Sequence, residues 1–114
     1  MAKSAKEVFQ KLEQGIQANL QEVSEINGTF QFLITPEEGS RVEVYVNLKD
    51  QPGLAWEKRD AECVIIAKES DFLLVYEGVV PGFKAVMSGK LKVGGRLDLA
   101  AKLGEVFEKA KAKD

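Results

Sequence analysis

A chain of 114 residues, 45% apolar and 30% charged, has room for one core but not two, and lacks the bias of a disordered or fibrous chain. It holds no histidine and one cysteine, Cys63, which excludes an intramolecular disulfide, the usual zinc sites and the usual general base. A net charge of −2 gives no electrostatic footprint for nucleic acid.

The first element is an amphipathic helix over residues 4–23. Ser4 and Glu7 have the spacing of a capping box, and Val8, Leu12, Ile16 and Leu20 recur at i, i+4 with Phe9 and Val23 beside them. Gly15 costs this helix about 1 kcal/mol relative to alanine. Asn27-Gly28 marks a turn. Thr29 to Thr35 then alternates, with Phe30, Phe32 and Ile34 on one face and Leu33 as the apolar exception on the other. After the turn Pro36-Glu37-Glu38-Gly39, Val42, Val44, Val46 and Leu48 share a face, so the two runs make a hairpin. A third strand follows over Leu54 to Lys58. Glu62 to Ala67 is apolar on both faces, the pattern of a strand covered on both sides.

Ser70 is placed to cap a short apolar helix, Phe72-Leu73-Leu74-Val75-Tyr76, that stops at Gly78. Pro81 opens the next helix and Gly89 closes it. Leu91 and Val93 alternate with Lys90 and Lys92 as a last strand. From Leu97 on, Leu99, Leu103, Val106, Phe107 and Ala110 recur at helical spacing. There is no internal repeat and no linker, so residues 1–114 read as one domain. No apolar run approaches the ~18 residues of a membrane span. The N-terminus lacks a signal-peptide core and the chain ends Lys-Ala-Lys-Asp, so the expected location is cytoplasmic.

Catalytic chemistry finds little support. Glu37 and Glu38 sit in a turn, and Asp60 and Glu62 flank a strand. Cys63 lies inside an apolar run with no histidine to activate it. Gly94-Gly95 precedes a helix but fits no phosphate-binding pattern, and a tight strand-to-helix turn explains it. What remains is apolar surface on both sheet and helices. Such stripes, read from spacing alone, make an ordinary packed core.

The run Met87-Ser-Gly-Lys-Leu-Lys-Val93, Gly95 and Leu99-Ala-Ala-Lys-Leu103 resembles the C-terminal half of the sterol carrier protein 2 family of lipid-binding domains. Further matches are Asn27-Gly-Thr-Phe-Gln-Phe32, Asp60-Ala-Glu-Cys-Val-Ile65 and Ser70-Asp-Phe-Leu-Leu74 followed by Gly78, and together they span residues 8 to 103. The resemblance implies an α+β fold: a five-stranded, mostly antiparallel sheet with about five helices on one face, enclosing an apolar tunnel. The tunnel wall would come from Phe30, Phe32, Ile34, Val44 and Val46 on the sheet, and from Phe72, Val75, Tyr76, Phe83, Val86 and Met87 on the short helices. Leu99, Leu103 and Phe107 of the last helix would complete it.

The function implied is non-catalytic binding, with transfer or sequestration, of fatty acid, fatty acyl-CoA or another amphiphilic lipid, sterol-like molecules included, without cofactor or metal. Lys84, Arg96 and Lys102 are candidates for the head group. Gly94-Gly95-Arg96 departs from the family's usual single glycine followed by Asn or Asp, which leaves Gly95 as a weaker cap. The second reading is an accessory domain that presents a lipid-like substrate to a separate enzyme; the third is an acyl-CoA-processing enzyme. Residues 58–114 carry eleven basic against nine acidic side chains, while residues 1–57 carry five against nine. With Lys102, Lys109, Lys111 and Lys113 on its polar side, the last helix is expected to act as a lid that transiently meets an anionic membrane surface.

Overall fold

The computed structural model describes residues 4–111. Helix α1 (Ala5–Ala18) starts at the expected cap: Ser4 is extended and its Oγ accepts the Glu7 N–H at 3.2 Å. The expected single helix breaks at Asn19, and α2 (Leu20–Ser24) follows. The Asn19 side chain is buried and donates to the carbonyls of Gly15 at 2.8 Å and Ala110 at 3.1 Å. A side chain that binds helix carbonyls competes with the helix ladder, and here it also ties the two ends of the chain together.

Strands β1 (Gly28–Thr35), β2 (Val42–Leu48), β3 (Gly53–Ala55), β4 (Cys63–Lys68) and β5 (Leu91–Gly95) form one sheet in the order β3-β2-β1-β4-β5. β1 and β4 are parallel, and the other three pairings antiparallel. The register gathers the apolar positions onto one face. Phe30 stands between Val46 and Cys63, Phe32 between Val44 and Ile65, and Ile34 between Val42 and Ala67. Val93 and Leu91 continue the last two rows on β5. Four further helices, α3 (Glu69–Tyr76), α4 (Gly82–Met87), α5 (Leu97–Ala101) and α6 (Leu103–Lys111), complete the fold, and with α1 and α2 they bury side chains in one continuous core with this sheet face.

The other sheet face is crossed by the chain between β3 and β4. Gln31 points that way and is buried. Its Nε2 donates to the carbonyls of Val44 at 3.2 Å and Glu57 at 3.3 Å, and its Oε1 accepts the Arg59 N–H at 2.6 Å. The Arg59 guanidinium lies 5.2 Å from the centre of the Tyr45 ring. The expected third strand is therefore cut to three residues, because the chain leaves the sheet edge to make this crossing. The cover is partial. On β4, expected to be buried on both sides, Val64 is half-buried and Ile66 is 41% exposed.

Two expected caps are elsewhere. Lys68, not Ser70, precedes α3, and Glu69 instead accepts the Ala5 N–H at 2.8 Å, joining the starts of α3 and α1. Arg96, not Gly95, precedes α5. Gly95 has φ +80° and lies so close to the Glu62 carbonyl that a Cβ would overlap it, while the Arg96 N–H donates to that carbonyl at 2.9 Å. Among the described residues no helix is long and apolar enough to cross a membrane.

Two substitutions test these joints. Gln31→Leu removes the amide that pairs with the part-buried Glu57 carbonyl and Arg59 N–H and is expected to cost about 1–2 kcal/mol by urea denaturation; an unchanged midpoint would mean the crossing is held by other contacts. At Gly15 a Cβ would overlap the Ala110 carbonyl of α6. Gly15→Ala should therefore lose about 2 kcal/mol through overpacking, where an unconfined helical glycine would gain about 1 kcal/mol.

Candidate functional site

The sheet residues expected to line a tunnel share one face of the sheet. Phe30, Phe32 and Ile34 of β1 and Val44 and Val46 of β2 all point to the helix side and are buried. Facing them are Phe72 and Val75 of α3, Leu99 of α5, and Leu103 and Phe107 of α6, also buried. Aromatic rings run through the interior in contact. Phe30 and Phe32 are 5.9 Å apart, Phe32 and Phe72 5.8 Å, Phe72 and Phe107 6.0 Å, and Phe107 and Tyr76 5.2 Å. Phe30 and Phe32 are stacked and the other three pairs edge-on, and such pairs each add about 0.5–1.5 kcal/mol beyond the area they bury. Tyr76 and Val86 are partly buried at the rim of this interior.

Phe83 and Met87 are placed differently. They lie one turn apart on α4 and point outward, 52% and 82% exposed. The side of α4 that meets the core carries Gly82 and Ala85. A Cβ on Gly82 would come within 3.0 Å of the Ala100 carbonyl, so α4 lies tight against α5. The spacing of Phe83 and Met87 is that of any amphipathic stripe, and only the packing of α4 shows which stripe faces in.

Phe9 belongs to the same interior but was not among the expected wall residues. Its ring is 5.1 Å from Phe72 and 5.2 Å from Phe32. It sits beside the i, i+4 row of α1 instead of on it, and the adjacent pair Val8-Phe9 was the available sign of a wider apolar face. Leu91 and Ile65, both fully buried, join the same core.

Cys63 is buried on the apolar face, and burial pushes its thiol up to about 11, so it stays protonated at neutral pH. The surface charges at the ends of the sheet are paired. Burial raises the pKa of Glu62, but hydrogen bonds from Lys49 and the Thr29 N–H, with Arg96 nearby, outweigh it and hold the carboxyl below its usual range. Of the expected head-group residues, Arg96 binds Asp98 at 2.7 Å and Glu62 at 3.4 Å, whereas Lys84 and Lys102 are exposed. Two surface clefts flank the core. One of about 450 Å³ has Glu37, Glu38 and Glu69 on its rim, and one of about 390 Å³ has Lys68, Lys90 and Lys92.

Residues 9–108 match the family model described as the SCP-2 sterol transfer family. The chain belongs to the SCP-2 sterol transfer family. Human sterol carrier protein 2 is 34% identical over 101 residues, covering 86% of this chain and 18% of its own length. The chain spans between 18% and 27% of the length of the curated relatives it matches. Among solved structures, apo sterol carrier protein 2 from Yarrowia lipolytica superposes with a TM-score of 0.80 at 21% identity, covering 91% of this chain and 89% of that one. Sterol carrier protein 2 of Aedes aegypti in complex with palmitate superposes with a TM-score of 0.61 at 18% identity, covering 87% and 96%. The fold is that of the sterol carrier proteins, a family of lipid-binding and lipid-transfer domains.

Burial of Cys63 makes a direct prediction. The native thiol is expected to resist a thiol-specific dye at neutral pH and to react fully once urea unfolds the chain. Rapid modification of the native protein would place Cys63 on an accessible wall.

Proposed function

We propose that this chain is a non-catalytic lipid-carrier domain whose ligand, a fatty acid, fatty acyl-CoA or other amphiphile, lies between the inner face of the sheet and the helices. The observation that carries this reading is the family match over residues 9–108 on a fold whose sheet and helices meet in an unbroken apolar interior. The palmitate complex of a structural neighbour supports a fatty acyl ligand. The wall is formed by Phe30, Phe32, Ile34, Val44, Val46, Phe72, Val75, Leu99, Leu103 and Phe107, with Phe9 added and Tyr76 and Val86 at the rim. Phe83 and Met87 do not belong to it.

Binding rests on burial of methylene groups, not on directed bonds. A chain admitted among Phe9, Phe72 and Phe107 exchanges water for hydrocarbon, and each CH₂ contributes about 0.8 kcal/mol. Admission needs α6 to part from the core. α6 is held by Leu103, Val106 and Phe107, by the Asn19–Ala110 hydrogen bond and by a 2.7 Å ion pair between Lys109 and Glu25. Lys102, between α5 and α6, is off the helical path and is the natural hinge. Lys113 lies outside the described residues, as does the Lys111 side chain.

Native mass spectrometry followed by lipid extraction, then titration with a fluorescent long-chain fatty acid, tests the reading. One ligand per chain is expected, with affinity rising about fourfold for each added CH₂ until the interior is full. A bare mass together with no saturable binding would sink the carrier reading and leave these residues as an ordinary core.

A further inference from the structure

Four large apolar side chains are more than half exposed among the described residues, and all fall between positions 79 and 97. They are Val79 at 68%, Phe83 at 52%, Met87 at 82% and Leu97 at 61%. Val79 leads into α4, Phe83 and Met87 form its outer stripe, and Leu97 opens α5, which packs against α4. The other amphipathic helices have spent their apolar faces. Val8, Phe9, Leu12 and Ile16 of α1, and Leu103, Val106 and Phe107 of α6, are buried.

Charge is concentrated in the same stretch. Residues 78–103 carry Lys84, Lys90, Lys92, Arg96 and Lys102 against the single acid Asp98, a net +4 within a chain of net −2. Lys84 and Lys102 are exposed, Lys90 and Arg96 are paired with Asp71 and with Asp98 and Glu62, and Lys92 lies beside Ile66 on the sheet face away from the helices. A second copy of the chain docked through this face would bring the exposed Lys84 and Lys102 of the two copies together. Lysines are also depleted at protein–protein contacts. At an anionic lipid surface the same composition is favourable throughout. The apolar side chains enter the acyl boundary, the lysine stems snorkel, and each ammonium meets a lipid phosphate.

The geometry points to the outer face of α4, with Val79 and Leu97, as the surface by which this protein docks on anionic membranes. This places the contact on α4 and α5, not on the last helix, whose Lys109 is paired with Glu25. α4 is one side chain deep between the two environments: Phe83 and Met87 face outward, while Ala85 is buried and Val86 packs on the core. Docking there would bring the bilayer against one wall of the interior. The use of that contact for lipid exchange rests on the carrier reading; the docking itself does not.

Co-sedimentation with vesicles of phosphatidylcholine alone, and of phosphatidylcholine mixed equally with phosphatidylglycerol, tests the proposal. The wild-type chain is expected on the phosphatidylglycerol vesicles only and to be released by salt. The double substitution Phe83→Ser with Met87→Ser should weaken binding about tenfold or more. Replacing Lys84 and Lys102 by Gln should weaken it about fivefold per lysine. All four side chains are exposed, so a far-UV melt close to wild type is expected and shows that each variant folds. A dye on Met87→Cys should shift to the blue on these vesicles, while the same dye on Gln10→Cys of α1 should not.

Equal association with both vesicle types, or association untouched by the Phe83 and Met87 changes, overturns the proposal. So does a concentration-dependent dimer, seen by sedimentation velocity, that those changes abolish, because the patch would then serve a second copy. Loss of fatty-acid binding in solution with vesicle docking intact would sink the carrier reading and leave this one standing.

Discussion

One sheet face with nothing but apolar side chains on it is the constraint from which the rest of this structure follows. Phe30, Phe32 and Ile34 are brought into register with Val42, Val44, Val46, Cys63, Ile65 and Ala67, so each of these strands turns alternate, apolar residues inward. A sheet with one such face must be covered, and the described residues cover it with six helices, most of them too short to be stable alone. Each is held by what it buries. The contact of Phe9 with Phe32 and Phe72, and of Phe72 with Phe107, is the seam along which the first and last helices meet the sheet.

The polar groups that are buried serve that seam. Asn19 breaks the first helix and reaches α6 across 91 residues of sequence, and Gly15 lets the α6 backbone approach within reach of it. Gln31 does the same service on the opposite face, where its amide pins the crossing chain that joins the two sides of the sheet. Both side chains substitute for backbone partners that an interrupted helix or a crossing loop cannot supply. The fold is thereby divided between a five-stranded sheet and short helices fastened to one another and to it at a few side chains.

That division suits a carrier. Affinity for a long chain comes from burial and needs few directed contacts, so a rigid apolar floor with a movable roof meets the physical requirement. The roof has two faces with different work. Its inner residues complete the core, and the outer residues of α4 present hydrocarbon and positive charge to whatever lies outside. The one thiol, Cys63, is buried in the apolar interior, and burial keeps it protonated at neutral pH.

Much of this was legible in the chain itself. Alternation in Thr29–Thr35 and Val42–Leu48 specified which side of each strand is buried, because the strand period of two leaves no freedom once one face is apolar. The ordered motifs from Asn27 to Leu103 identified the family and, through it, the fold. What the chain could not show is where local pattern loses to a distant partner. The break at Asn19 depends on Ala110, the helix start at Glu69 on Ala5, and the conformation at Gly95 on Glu62. Exposure of Phe83 and Met87 was hidden for the same reason. A six-residue helix with apolar side chains on most of its circumference has no face of its own, and the tight packing of Gly82 on Ala100 decides which side meets the core and which meets water.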